Sequence, residues 1–175
     1  GVLNTDNMSI LGQTLDYGPF GFMEAYDPAH ICNHTDQQGR YSYRMQPRIG
    51  EWNCYALGQA MVSLIGDVDE VHDALAVYKP ASEAKLAALW QAKLGLAVTM
   101  PEDKALLDSL LDAMARNRVD FPLFFRRLSN LQIDHPETDG PLRDLFIDRA
   151  AFDAWSVEYR TRLRSERSVD SARKH

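Results

Sequence analysis

The stretch that follows residue 48 constrains the fold most, because its apolar side chains recur at helical spacing. In a helix with 3.6 residues per turn, these side chains lie on one face. Gly66 comes directly after this stretch, and glycine is a common residue at the end of a helix. The pattern predicts an amphipathic helix that ends near Gly66 and carries its apolar face on Ile49, Trp52, Ala56, Leu57, Ala60, Met61 and Leu64.

Capping and helix-breaking residues predict five further helices. Asp67, Ser82 and Thr99 have the side-chain oxygens that cap helix amino termini. Pro80 and Gly95 stand where the second and third helices should stop. The predicted spans are 67–78, 82–94, 99–116, 120–130 and 142–167.

Residues 1–50 have a different character. They are rich in Gly, Asp, Asn, Pro and aromatic residues and lack a sustained helical period, which predicts short strands and ordered loops. The expected fold is therefore mainly α, with a loop and short-hairpin front (1–50) packed on a helical body (51–175) in one domain. The chain opens in mid-motif without a Met, so we interpret it as a fragment of a larger enzyme.

Composition excludes several classes of function. A formal net charge of −6 argues against binding to nucleic acid. No apolar run approaches the roughly 20 residues that cross a bilayer, so no membrane association is expected. Cys32 and Cys54 are too few for a disulfide scaffold and have no partners at zinc-site spacing.

Oxygen-bearing side chains that suit a hard cation are dense in residues 1–50. A tight turn at 11–13 would join two short strands and bring Asp6 and Asn7 beside Asp16. In protein kinases a loop Asp receives the substrate proton, while an Asn and a second Asp hold Mg²⁺. Asp6 could be such a base, and Asn7 and Asp16 such ligands. The full set is Asn4, Asp6, Asn7, Ser9, Asp16, Asp27, Asn33 and Asp36.

Two observations limit this interpretation. No His-Arg pair precedes Asp6, and Asn7 follows it immediately, so the kinase catalytic-loop signature is missing. Asp and Asn beside Gly and Ser also form turns by bonding their own backbone. From spacing alone, a metal site and turn chemistry both remain open.

Several longer motifs closely resemble the selenoprotein O family. They cover about the first third of the chain: GVLNTDNMSILG at 1–12, DYGPFGF at 16–22, YDP at 26–28, ICNH at 31–34, GRY at 39–41 and QPRIGEWN at 46–53. The resemblance implies the carboxyl-terminal, kinase-like lobe of a pseudokinase that binds ATP in a flipped orientation. It also implies transfer of AMP to Ser, Thr or Tyr hydroxyls of proteins.

The resemblance assigns roles to three residues. It implies that Asp6 is the proton acceptor, that Asn7 is a magnesium ligand, and that Asp16 is a magnesium ligand that also contacts the nucleotide. The implied cofactor is Mg²⁺, or else Mn²⁺, and the implied partners are ATP, protein substrates and a missing amino-terminal lobe. We expect the fragment to be inactive alone, and the parent to be cytoplasmic if bacterial or mitochondrial if eukaryotic. The alternatives are a helical interaction or scaffold domain without catalysis, and a protein kinase.

Other residues have simpler interpretations. His30 and His34 are expected to be loop histidines that bond to the backbone, in preference to metal ligands or acid and base groups. Cys54 is expected to be a core residue. Cys32 is either a buried thiol or the partner of a cysteine outside the chain. The arginines at 40, 44 and 48 are expected at the surface, and the helically spaced aromatics from Phe121 to Trp155 in the core.

Overall fold

The computed structural model describes residues 1–13 and 20–166. The chain is mainly helical, as the sequence predicted. Single 3-10 turns lie at Thr5–Asn7, Tyr43–Met45 and Pro136–Thr138. The α-helices are α1 (Gln46–Ile65), α2 (Val68–Ala76), α3 (Tyr78–Lys93), α4 (Asp103–Asn117), α5 (Phe121–Leu128), α6 (Gly140–Arg143) and α7 (Arg149–Ser165).

The short strands predicted for residues 1–50 are wrong for the part that the structure describes. Before α1 begins at Gln46, that part consists of loops, bends and two 3-10 turns, and its single β-bridge joins Ala25 to Asp120. The second arm of the predicted hairpin begins in 14–19, which lies outside the described residues. The polar side chains here bond to their own backbone, which favours turns over strands.

Residues 1–13, 20–22 and 28–85 form one compact unit, which is built on α1 and α2. Gly66 ends α1 in the left-handed conformation, with φ of 80°, and its N–H donates to the carbonyl of Val62. Asp67 then caps α2 by accepting from the N–H groups of Asp69 and Glu70. The predicted helix end at Gly66 and the predicted cap at Asp67 are both confirmed. Each residue makes its hydrogen bonds to neighbours within one turn, so the local sequence was enough to predict them.

A close approach between Gly50 and Tyr78 joins α1 to the first residue of α3. The Tyr78 hydroxyl donates to the carbonyl of Pro47 at 2.9 Å. A Cβ atom added at Gly50 would collide with that hydroxyl oxygen and lie 3.4 Å from Cζ of the ring. The contact therefore requires a residue without a side chain at position 50.

The predicted apolar face of α1 is mostly exposed. Ile49 is buried at 5%, but Trp52 and Leu64 are 49% and 76% exposed. The pattern predicted the helix correctly, but it could not tell which part of the apolar face is covered. Cys54, predicted as a core residue, is only half-buried.

Two predicted helix starts are wrong. Pro80 lies inside the first turn of α3, where a missing N–H breaks no helical hydrogen bond, so it does not separate two helices. Ser82 is therefore internal to α3, and its hydroxyl donates to the carbonyl of Lys79. Thr99 does not cap α4, because its hydroxyl donates to Gln91 and the helix begins at Asp103.

The last predicted helix, 142–167, is also too long. The described residues in this range form the end of α6, a connecting turn and then α7. Asp148 caps α7 by accepting from the N–H of Ala150. Arg167, the final residue of the predicted helix, lies outside the described residues.

Residues 23–27 and 86–166 form the second compact unit. Its core is an aromatic cluster in which Phe124 packs edge-on against Phe125, Phe146 and Trp155. Trp155 stacks on Tyr159 with 4.7 Å between ring centroids. This confirms the prediction that the aromatics form a core, because buried side chains at helical spacing supply its apolar area.

The predicted division of the chain at residue 50 remains a prediction. Within 1–13 and 20–166, the structure has no helix with the length and apolar character needed to span a bilayer.

Candidate active site

A single 3-10 turn, Thr5–Asn7, holds two of the three predicted site residues. Asn4 caps it: its side-chain Oδ1 accepts from the N–H of Asn7 at 3.0 Å, and its own carbonyl accepts from the same group at 3.2 Å. Asn at this position is a favoured cap because its side chain replaces a missing backbone acceptor. The cap fixes the backbone that carries Asp6 and Asn7; we call residues 4–8 the catalytic turn.

Asp6 lies in the middle of the catalytic turn and is exposed. Its carboxylate makes no hydrogen bond or ion pair with any residue that the structure describes. A general base needs a carboxylate that can reach the proton of an incoming hydroxyl. Asp6 therefore meets the steric requirement for the predicted role.

Asn7 has one side-chain atom in use and one that remains available. Its Nδ2 donates to the carbonyl of Val2 at 2.8 Å. Since a carbonyl can only accept, this bond fixes the orientation of the amide and leaves Oδ1 as its acceptor. An amide oxygen is a suitable ligand for Mg²⁺, so Asn7 fits a cation site.

Asp16, the third predicted residue, lies in 14–19 and so outside the described residues. The structure therefore does not test whether Asp16 comes near Asp6 and Asn7. Within 1–13 and 20–166, no three His, Cys, Asp or Glu side chains form a group that could hold a metal ion. Asn is not one of these residue types, so the predicted Asn7 and Asp16 pair stays a prediction.

Three of the other oxygen-bearing candidates take part in turns. Asp36 accepts from the N–H groups of Arg40 and Tyr41 at 2.9 and 2.8 Å. Ser9 accepts from the N–H of Leu11, and Asn33 donates to the Thr35 hydroxyl. Asp36 and Ser9 therefore bond nearby backbone N–H groups as turn residues do, whereas the Asn33 bond is to a side-chain hydroxyl and Asp6 shows no such bond among the described residues.

Helix α1 supplies two amide side chains that hold residues 1–8, and the sequence reasoning missed both of them. Asn53 Nδ2 donates to the carbonyl of Leu3 at 3.0 Å and also contacts Sδ of Met8. Gln46 Nε2 donates to the carbonyls of Gly1 and Tyr41. The available signal was an Asn four positions after the apolar Ile49, where a buried residue was expected.

A pocket of about 220 Å³ separates the catalytic turn from α1. Thr5 and Met8 line it on one side, and Asn53 and Cys54 on the other. Burial, followed by the negative charge of Glu51, raises the pKa of the Cys54 thiol. The thiol is therefore held in its neutral form, and we assign it no catalytic role.

His30 and His34 lie in a loop as predicted, but the buried Nε2 of His30 has no hydrogen-bond partner among the described residues. The side chains of Arg40, Arg44 and Arg48 are exposed, as the sequence predicted. The guanidinium of Arg40 lies 4.5 Å from the centroid of the Trp52 ring, a cation–π contact.

Comparison with known proteins decides the family. The chain matches the family model described as protein adenylyltransferase SelO over residues 1–175. The chain belongs to the SelO family. This confirms the resemblance found in the first third of the sequence and extends it to the helical remainder.

Proteins named protein nucleotidyltransferase YdiU are among the relatives of this SelO chain. One from Herminiimonas arsenicoxydans is 62% identical over 174 residues, which cover 99% of this chain and 35% of the relative. Another from Burkholderia multivorans is 51% identical over 187 residues, covering 99% and 36%. The SelO chain thus spans about a third of the length of these relatives.

Proposed function

We propose that the whole protein containing this chain transfers AMP from ATP to Ser, Thr or Tyr hydroxyls of other proteins, and that the catalytic turn carries the chemistry. The supporting observation is the state of two adjacent side chains. The Asp6 carboxylate is exposed and has no partner among the described residues. The amide of the next residue, Asn7, is held by its bond to Val2, which leaves the amide oxygen Oδ1 available as a ligand. Family membership supports the choice of AMP as the transferred group.

In the proposed reaction, the carboxylate of Asp6 accepts the proton of the substrate hydroxyl. The hydroxyl oxygen forms a bond to the α-phosphorus of ATP, and the bond from that phosphorus to the bridging oxygen of the β-phosphate breaks. Pyrophosphate leaves with the electron pair of the broken bond. Asp6 contributes by orienting the hydroxyl and removing its proton, steps that are typically worth about 10²–10⁴ in rate.

Asn7 and, by the sequence pattern, Asp16 would hold a divalent cation, Mg²⁺ or Mn²⁺, with Asp16 also contacting the nucleotide. When bound, such a cation neutralises negative charge on the phosphates. The carboxylate and amide oxygens suit this class of metal. The finer architecture, a kinase-like carboxyl-terminal lobe completed by an amino-terminal lobe of the same protein, belongs to the same proposal. So does a cytoplasmic location, which the bacterial relatives favour.

The test uses the whole protein, a protein substrate, and ATP labelled on either the α- or the γ-phosphate. We expect wild type to transfer only the α-label, and Asp6→Asn to lower this transfer by about 10²–10⁴-fold with an unchanged melting temperature. Asp36→Asn is the matched control, because its carboxylate caps two backbone N–H groups; it should lower the melting temperature more than the activity.

Three outcomes would contradict the proposal. Transfer of the γ-label would indicate a protein kinase. No transfer by a folded wild-type protein, with or without added Mg²⁺, would favour the scaffold interpretation. Full activity of Asp6→Asn would remove Asp6 from the mechanism.

A further inference from the structure

The amide of Asn53 is buried beneath the catalytic turn and contacts both of its sides. Asn53 is 5% exposed and lies on α1, about 50 positions later in the sequence than the turn. Its Nδ2 reaches the carbonyl of Leu3, directly before the catalytic turn, and Sδ of Met8, the last residue of the turn. The two contacts therefore bracket Asp6 and Asn7.

We propose that Asn53 is a positioning residue that sets where Asp6 and Asn7 lie relative to the reacting groups. The inference rests on the function proposed above, and it assigns a role to a residue that touches neither substrate nor metal. A misplacement of about 1 Å can cost about 10²-fold in rate, so a residue that holds the turn can control the reaction without taking part in it.

The orientation of the Asn53 amide follows from its partner. The Leu3 carbonyl can only accept a hydrogen bond, so Nδ2 and not Oδ1 must face it. Oδ1 is then buried, and it has no hydrogen-bond partner among the described residues. An unpaired buried acceptor is costly, and an apolar side chain of similar size would avoid that cost. Stability alone therefore does not account for an Asn here, whereas a need to hold Leu3 does.

A second amide on the same helix supports this inference. Gln46 precedes Asn53 by seven positions, two turns of α1, so the two side chains leave the same face. Gln46 Nε2 donates to the carbonyl of Gly1 at 3.3 Å and to that of Tyr41 at 2.7 Å. One helix thus holds the segment before the catalytic turn at two points, Gly1 and Leu3.

The test compares Asn53→Leu and Asn53→Ala with wild type in the whole protein. Asn53→Leu removes the donor and also the unpaired acceptor, so it should keep the melting temperature close to that of wild type. We expect kcat for AMP transfer to fall at least about 10-fold, and the Mg²⁺ concentration for half-maximal rate to rise about 10-fold. Hydrogen–deuterium exchange of residues 2–8 should become faster in both variants.

Two control variants separate positioning from stability. Gln59→Ala removes an exposed amide from the same helix and should change none of these quantities. Tyr78→Phe removes the hydrogen bond to Pro47 elsewhere in the same unit, so it should lower the melting temperature but leave kcat and the Mg²⁺ dependence unchanged.

The proposal is overturned if either Asn53 variant keeps kcat within twofold of wild type and shows unchanged exchange in residues 2–8. It is also overturned if both variants fail to fold, because Asn53 would then be a residue of the fold. Failure of the proposed function is a different result: wild type would transfer no AMP, yet the exchange measurement would still show whether Asn53 holds the turn.

Discussion

Arg162 and Asp103 form an ion pair inside the second compact unit, with Nη2 of the arginine 3.1 Å from Oδ2 of the aspartate. Their side chains are 4% and 14% exposed. Arg162 also pairs with Glu166, which is 1% exposed, at 2.6 Å. One guanidinium thus neutralises two buried carboxylates and links the start of α4 to the end of α7.

Replacement of Arg162 by Met should destabilise the chain strongly. Both carboxylates would remain buried without their counter-ion, and the loss of one partner of a buried pair typically costs about 3–5 kcal/mol. The measurement is the free energy of unfolding in urea. Lys104→Ala is the matched control, because its exposed pair with Asp108 on α4 should contribute only about 0.5 kcal/mol. Equal effects of the two variants would contradict this account.

The same pair predicts a loss of stability in acid. Burial opposes ionisation of Asp103, but hydrogen bonds from Arg162 and from the N–H of Met100 outweigh it and hold the pKa of Asp103 below its ordinary value of 3.8. A carboxyl whose pKa is lower in the folded state stabilises that state above the unfolded pKa. The stabilisation is lost as pH falls through the folded pKa.

Urea unfolding of wild type and Asp103→Asn from pH 6 down to pH 2.5 would check this expectation. The free-energy difference between them should be constant above about pH 5 and should shrink as pH falls below 3.8, the ordinary pKa of this carboxyl. A difference that stays constant to the lowest pH would show that Asp103 does not titrate in this way.

Replacement of Gly50 by Ala should destabilise the chain, although Ala is the better helix former by about 1 kcal/mol. The new Cβ would collide with the Tyr78 hydroxyl, and overpacking in a well-packed site typically costs about 1–3 kcal/mol. In a Tyr78→Phe background the hydroxyl is gone, and the nearest ring atom, Cζ, lies at 3.4 Å. The cost should therefore shrink, which a double-mutant cycle of melting temperatures would show. Additive effects would be evidence against the collision.

Asn7→Ala should weaken the metal dependence of the whole protein's activity. The variant lacks the proposed oxygen ligand, so the Mg²⁺ concentration for half-maximal AMP transfer should rise at least about 10-fold. Its melting temperature should change little, because the lost bond to Val2 is exposed. The control is Asn4→Ala, which removes the cap but not the ligand and should lower stability more than metal affinity. An unchanged Mg²⁺ dependence of Asn7→Ala would remove Asn7 from the site.

Local signals in the sequence predicted most of the helices. Asp67, Gly66 and Asp120 mark helix ends through bonds within their own turn, so the sequence carries the whole interaction. Pro80 misled for a related reason: a proline that breaks a helix interior is harmless in a first turn, and the sequence does not say where that turn begins. The exposed face of α1 shows a different limit, because periodicity predicts an apolar face but not what covers it.

The residues of the candidate site also differ in how far the sequence could predict them. Asp6 and Asn7 were predicted because they are adjacent in one motif with suitable chemistry. Asn53 was missed, because its partner Leu3 lies 50 positions away and only the tertiary structure brings the two together. A polar residue within an apolar helical pattern is the clue that points to such contacts.

The fit of the Tyr78 hydroxyl against Gly50 also sets an order in which this family could have changed during evolution. A side chain at position 50 becomes acceptable only after the ring at position 78 has lost its hydroxyl or has been replaced by a smaller residue. Among related sequences, the two positions should therefore vary together, with glycine retained wherever tyrosine is present.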